Sequence, residues 1–575
     1  MTAKRTGAEL VVRALEDEGI ALAFGIPGTH NIELYDALAS SEKVRAVLVT
    51  DEQSASFMAD GAYRASGRLA CVNVVPGAGL THAMSGIAEA FLDGIPMLVL
   101  GCGIRRDTGK AYQLHDVDQA ALVKPVTKAQ LRPESGGGLY ATVRKACRLA
   151  REGTPGPVFV EVPADQYLFR HDDVAGEWPA PARPPGPPEA SVAEAARILS
   201  HAKRPLLYLG LGAAGAGAAL VSIAERLEAP VSTTFQGKGV FPESHPLWLW
   251  PGFGDAAPTF ARDVAASCDV TLAIGCRFGE VATGSYGLTP PGKLIHVDID
   301  PQVPGRNYAA DLAVAADAAA FVEALLPGLR ARGQDEALRL RLAQGHAGVD
   351  RELLAPSAGK VSPHLLLREL QSAFGPETVF TTDSGNGTFL AVEGLRLEKP
   401  GRLLAPVDYS CMGYAVPAAL GAKLACPGAP VVSLAGDGAF LMTGLELLTA
   451  AQNGLGVAVF VLRDRELAQI AQFQSTALGR KSASELPDYD LAGLARSLGV
   501  EALVLANDAG IPEAVARAKA VADEGRPVLV DVAIDYSRKT FFTRGVVRTN
   551  FGRLPWGDRL RFVVRALGRK VLGGG

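Results

Sequence analysis

The stretch VVSLAGDGAFLMTGLELLTAAQNGLGVAVFVLRDRE, Val431 to Glu466, decides the fold. A short apolar run meets Gly436-Asp437-Gly438-Ala439, a helical pattern follows, and a second apolar run, VAVFVL, ends at Arg463-Asp464. Short runs rich in Val and Leu, separated by a helix, read as parallel strands buried on both faces, where no polar alternation is needed. Glycines after a strand let backbone N–H groups approach a diphosphate closely, and a carboxylate there can bind the divalent cation that neutralises it. Asp437 and Asp464 end adjacent strands, where ligands of open α/β sheets gather, so the pair suits magnesium, with Glu466 as a third candidate ligand. Gly-Asp-Gly is also a common turn, and on these residues alone that alternative stays open.

Outward from this unit the same rhythm of short apolar runs and longer helical patterns fills the 575-residue chain, which is too long for one hydrophobic core. The class is α/β, with three doubly wound parallel-sheet domains. WPAPARPPGPPEA, dense in proline, interrupts the rhythm as an extended linker. The expected division is an N-terminal domain over 1–175, a linker over 176–190, a central Rossmann-like domain over 191–335, a C-terminal domain over 360–545 and a basic tail over 546–575. In that tail Leu560, Val563, Val564, Leu567 and Val571 share one helical face, which suits packing or an active-site cover. Gly210-Leu-Gly212-Ala-Ala-Gly215 follows a strand-like run, but no acid stands about 20 residues on to bind a ribose, so a structural turn is expected.

Composition points to small-molecule work. Charge is nearly balanced, 57 Lys and Arg against 61 Asp and Glu, with no basic excess for nucleic acid. The N-terminal helix pattern carries charges and is no signal peptide, and no run approaches the ~18 uncharged apolar residues of a membrane span, so a cytoplasmic protein is expected. Seven cysteines without a CxxC pair argue against a disulfide framework or a zinc site.

The acidic turn and its spaced partner resemble the thiamine-diphosphate enzymes of the acetolactate synthase, benzoylformate decarboxylase and benzaldehyde lyase group. In that family Gly-Asp-Gly is followed some two dozen residues later by two asparagines, here Arg463-Asp464. VLVTDEQSASFMADGAYRASG is similar to the segment whose glutamate activates the cofactor, which places that role on Glu52. VVPGAGLTHAMSGIAEAFLDGIPMLVL, GKGVFPESHP, LIHVDIDP and SCMGYAVPAALGAKLA carry the likeness through all three domains. The resemblance implies that Gly436 to Ala439, Asn386 and Gly387 hold the diphosphate, that Met412 props the bent cofactor, and that the Ser410 carbonyl accepts its aminopyrimidine amine. A carboxylic acid in an apolar site has a raised pKa and can exchange a proton with a ring nitrogen near neutrality, the chemistry Glu52 would need.

The implied reaction is decarboxylation of a 2-oxo acid and ligation of the resulting enamine to a second carbonyl. The alternatives are simple decarboxylation, benzaldehyde-lyase-like cleavage, or a homologue that kept only the fold. His30 in FGIPGTHNIELYDAL and Gln113 match pocket residues of benzaldehyde lyase, with His82 and His115 as further histidines; a histidine at a strand-to-helix turn can shuttle protons. Arg277 matches an arginine associated with acceptor choice and flavin contact, which leaves flavin adenine dinucleotide as an option. Departures count against the flavin and against pyruvate: Leu114, Ala164 and Val281 replace a glutamate, a lysine and an arginine, while Gln469 and Phe473 replace a methionine and a tryptophan. These residues imply a different or larger, more polar substrate. The expected partners are a 2-oxo acid, a carbonyl acceptor and further copies of the chain, as a homodimer or dimer of dimers in which Glu52 of one subunit faces the diphosphate site of another.

Overall fold

The computed structural model describes residues 4–172 and 186–571, with side chains to residue 565. Three six-stranded parallel sheets form from the short apolar runs. The first has the order Arg45–Leu48, Leu22–Gly25, Cys71–Val74, Met97–Gly103, Pro157–Pro163 and Ala129–Leu131. The last has the order Leu403–Leu404, Val379–Thr382, Val431–Gly436, Ala458–Arg463, Val528–Ala533 and Glu501–Leu505. Counted along their own segments, both sheets share one topology. The middle sheet differs: Trp248–Pro251, Val231–Thr233, Pro205–Leu209, Val270–Ile274, Lys293–Asp298 and Leu312–Ala315, the order of dinucleotide-binding folds. Its Gly210 and Gly212 pack directly on Gly275, where a Cβ would strike backbone atoms.

The first and last sheets share a core through two helices, Glu52–Ser66 and Ala415–Ala425. Their backbones nearly touch: a methyl at Gly61 would overlap the Ala418 carbonyl, and one at Gly421 would overlap the Met58 carbonyl. In this contact Arg64 is held by Asp60 (2.6 Å) and Asp93 (2.7 Å), with all three side chains at most 7% exposed. The middle sheet is tied to the last by another buried pair. Lys238 Nζ donates to Glu243 (2.6 Å) and to the Leu395 carbonyl (2.9 Å), while the Leu397 amide donates to Glu243 (3.1 Å). Burial pushes the Lys238 ammonium down to about 8.

The proline-rich linker falls mostly outside the described residues. The expected boundary at 545 lies inside the helix Phe541–Arg553. That helix is anchored at its start, where the Phe541 amide donates to buried Glu393 (2.9 Å) and Phe542 stacks on Phe389 at 4.0 Å. The chain there is therefore part of the C-terminal packing. Trp556–Val571 forms a further helix against Ala468–Leu478 and leaves Leu560, Val563 and Val564 exposed; the Leu567 and Val571 side chains lie outside the described residues. The seven cysteines are unpaired, six of them buried. No described helix is long and apolar enough to cross a membrane.

Gly421→Ala should lower stability by about 1–3 kcal/mol, because the close-packed helix pair must separate to admit the methyl. Lys238→Met should cost about 3–5 kcal/mol by leaving Glu243 buried and unpaired, and Lys238→Met with Glu243→Met should recover most of that loss. Chemical denaturation midpoints check both.

Candidate functional site

The carboxyl ends of the last sheet carry the first group of predicted residues. Gly436 pairs with Leu462 across the central strands, which sets Asp437 beside the Arg463–Glu466 turn. Asp437 is 3% exposed and accepts from the amides of Gly438 and Arg465, each at 2.8 Å. Burial raises its carboxyl above the usual range, and burial together with the charge of Asp437 pushes Asp464 up to about 7. Two acids crowded at strand ends suit a divalent cation, which would relieve both effects. The Glu466 carboxylate is engaged by Lys481, and its amide donates to Asp464 (3.2 Å).

A second glycine turn stands alongside. Gly385, at φ +119°, precedes the helix Asn386–Gly394, whose first turn has no side-chain cap. Asn386 is buried, and its Oδ1 has no hydrogen-bond partner among the described residues. A Cβ on Gly436 would meet only open space. An unpartnered buried amide oxygen, uncapped N–H groups and open room beside two acids fit a metal-bound diphosphate. Gln469 lies over this turn: its Oε1 is 3.7 Å from where a Gly385 Cβ would stand, and Phe473 is one turn further along the helix Ala468–Leu478.

Ser410 and Met412 complete this half. Ser410 is exposed at φ +66°, a conformation that costs a non-glycine residue roughly 1–3 kcal/mol and needs support from its surroundings. Its hydroxyl is 2.7 Å from that of Ser384. Met412 Cε reaches within 3.7 Å of a Cβ position on Gly438, so the side chain borders the acidic turn. Sequence reading missed Asp383, which is buried behind this turn and accepts from the Ala415 amide (3.0 Å), its carboxyl pushed up to about 7 by burial. The signal was available: an acid directly after the apolar strand Val379–Thr382, the same placement as Asp437.

The second group sits on the first sheet. Glu52 opens the helix Glu52–Ser66 and is 7% exposed. Gly79 leaves room for it, since a Cβ there would stand 2.9 Å from Glu52 Oε1. His82 Nδ1 is 3.5 Å from Glu52 Oε2 and 3.7 Å from Asp51 Oδ1. Gly77 packs against His115, and His115 meets the His30 ring edge-on at 5.4 Å. Burial and the neighbouring His115 lower the His30 pKa. Gln113 is two residues from His115 and accepts from the Thr108 hydroxyl (3.0 Å). Glu52 thus meets His82, and His115 meets His30, on this side of the first domain.

Arg277 reaches the first group through Asp408, two residues before Ser410. It pairs with Asp408 (2.7 Å) and donates to the Leu92 carbonyl, on the wall of a cavity of ≈ 1190 Å³ between the three domains. Asp298, at the end of its strand, and Gly212 line the same space.

Comparison with known proteins gives matches in all three domains. Residues 5–122 match the N-terminal TPP binding domain of thiamine pyrophosphate enzymes, residues 192–325 their central domain, and residues 383–532 their C-terminal TPP binding domain. The probable acetolactate synthase large subunit of Methanocaldococcus jannaschii is 32% identical over 550 residues, 92% of each chain. Acetolactate synthase isozyme 1 large subunit of Escherichia coli K12 is 30% identical over 94% of this chain and 96% of its own. Acetolactate synthase of Mycobacterium bovis is 31% identical over 92% and 88%.

Proposed function

The chain belongs to the thiamine pyrophosphate enzymes, in the acetolactate synthase group, and from that membership we propose that it decarboxylates a 2-oxo acid and joins the resulting fragment to a second carbonyl. The observation that carries this reading is the pairing of a diphosphate-shaped half-site, built on Asp437, Asp464 and the unpartnered Asn386, with a separate half-site built on buried Glu52. Asp437 and Asp464 would hold magnesium. The backbone of Gly387, Gly436, Gly438 and Ala439 and the Asn386 amide would hold the diphosphate, the Ser410 carbonyl would accept the aminopyrimidine amine, and Met412 would fill the space beneath it. Bound there, thiamine diphosphate supplies a carbon nucleophile and an electron sink for decarboxylation. Glu52 would hold and release the proton at its ring nitrogen. His30 and Gln113 would face the substrate and move or hold a proton at its oxygen.

As in the family it resembles, a second copy of the chain would complete each site, Glu52 of one subunit meeting the diphosphate half of the other. An exposed apolar row supports this: Leu441, Met442, Leu445 and Leu448, next to the acidic turn, are each about half exposed. The His30–His115 pair favours a second reading, in which the reaction ends by protonation rather than ligation. Arg277 is committed to Asp408 and Leu92, so no flavin role is assigned to it.

With thiamine diphosphate and magnesium, the purified protein should release carbon dioxide from a member of a 2-oxo acid panel. Glu52→Gln should lower that rate by about 10²-fold or more while calorimetry still registers cofactor binding. Mass spectrometry of products with and without an added aldehyde separates ligation from protonation, and absence of cofactor binding in the parent protein would leave only the fold. Asp464→Asn removes one charge beside the diphosphate, so the gain in cofactor affinity on adding magnesium should shrink about tenfold. An unchanged magnesium response would take Asp464 out of the metal shell.

A further inference from the structure

The helix Ala78–Asp93 of the first domain ends in two acids four residues apart, Glu89 and Asp93, 0% and 4% exposed. Both point across the domain contact into the segment that leads to Ser410 and Met412. Glu89 Oε2 accepts from the Cys411 amide (2.9 Å), and Asp93 accepts from the amides of Val407 (3.3 Å) and Asp408 (3.0 Å). The Ser85 carbonyl accepts from the Cys411 thiol (3.4 Å), and Arg64 donates to the Ala405 carbonyl (3.4 Å). Just beyond the segment, the Tyr414 hydroxyl donates to Asp60. The backbone on either side of Ser410 is therefore gripped by side chains of the other domain, while Ser410 itself is exposed and left-handed. A strained conformation persists only where its surroundings over-determine it.

We propose that Glu89 is a positioning residue for the cofactor: by holding the Cys411 amide it fixes the turn at Ser410, and with it the carbonyl and the Met412 side chain that the bound cofactor meets. This rests on the reading of Ser410 and Met412 given above. Burial and the neighbouring Asp93 push the Glu89 carboxyl up to about 9, so at neutral pH it is an uncharged acid, and glutamine reproduces both its shape and its acceptor. Aspartate does not, since its carboxyl sits one methylene back from the Cys411 amide.

Calorimetric titration of thiamine diphosphate in saturating magnesium tests this on the parent protein, Glu89→Asp and Glu89→Gln, with near-ultraviolet circular dichroism of the bound cofactor as a second readout. Glu89→Asp should weaken binding about tenfold and change the dichroism, whereas Glu89→Gln should stay within about threefold of the parent with an unchanged spectrum. A Glu89→Asp protein that melts at lower temperature but binds as the parent does has lost only fold stability, and that result overturns the proposal. Tenfold weakening in Glu89→Gln, which is isosteric and keeps the fold even if Glu89→Asp does not, overturns it equally. A parent protein that binds no thiamine diphosphate instead overturns the functional reading beneath it.

Discussion

The structure depends on the near-contact of two helix backbones, Glu52–Ser66 and Ala415–Ala425, made possible by Gly61 and Gly421. Side-chain-free approach lets two sheets, each already covered by its own helices, share one apolar core. Within that core lies an expensive group, the Arg64 guanidinium, whose desolvation is offset only because Asp60 and Asp93 both meet it and the Ala405 carbonyl accepts from it. Removing Arg64 would leave Asp60 and Asp93 buried together without a positive charge. Such a contact has one geometry, and everything that hangs on its two helices inherits it.

What hangs on them is the candidate site. Glu52 opens the first helix; the second begins five residues after Ser410. The acids Glu89, Asp93 and Asp383 each take backbone amides of the segment between Val407 and Ala415, so a loop that would otherwise be mobile is tied to two domains. Glu446 does the same in the opposite direction, accepting from the Thr50 amide and hydroxyl just before Glu52. Buried carboxyl groups, rather than further apolar packing, specify the register of the two domains at the site. Hydrophobic contact is non-directional, whereas a hydrogen bond from an amide to a carboxyl group fixes a distance and an angle.

The central domain plays a different part. Its strand order is that of dinucleotide folds, yet its glycines at 210 and 212 serve close packing on Gly275, and its strongest tie to the rest is the enclosed Lys238–Glu243 pair reaching Leu395 and Leu397. Arg277 and Asp408 join its wall to the segment before Ser410, so the interdomain cavity and the site share one strut.

The sequence by itself determined the α/β class and the three parallel sheets, because strand and turn are local patterns: Asp437 and Asp464 stood out as candidates from two apolar runs ending in acids, while Glu52 was singled out only by resemblance to a known family, its local pattern being that of an ordinary helix start. Asp383 followed the same rule as Asp437 and was passed over. Glu89 and Asp93 had no such signal, being acids at the end of an ordinary helix pattern whose backbone partners lie more than 300 residues away. The engagement of Glu466 by Lys481 and the pairing of Arg277 with Asp408 on the interdomain cavity were likewise decided only by tertiary structure. Periodicity fixes which residues are buried and which end a strand, but the direction a buried polar group faces depends on which distant backbone is left needing its hydrogen bond.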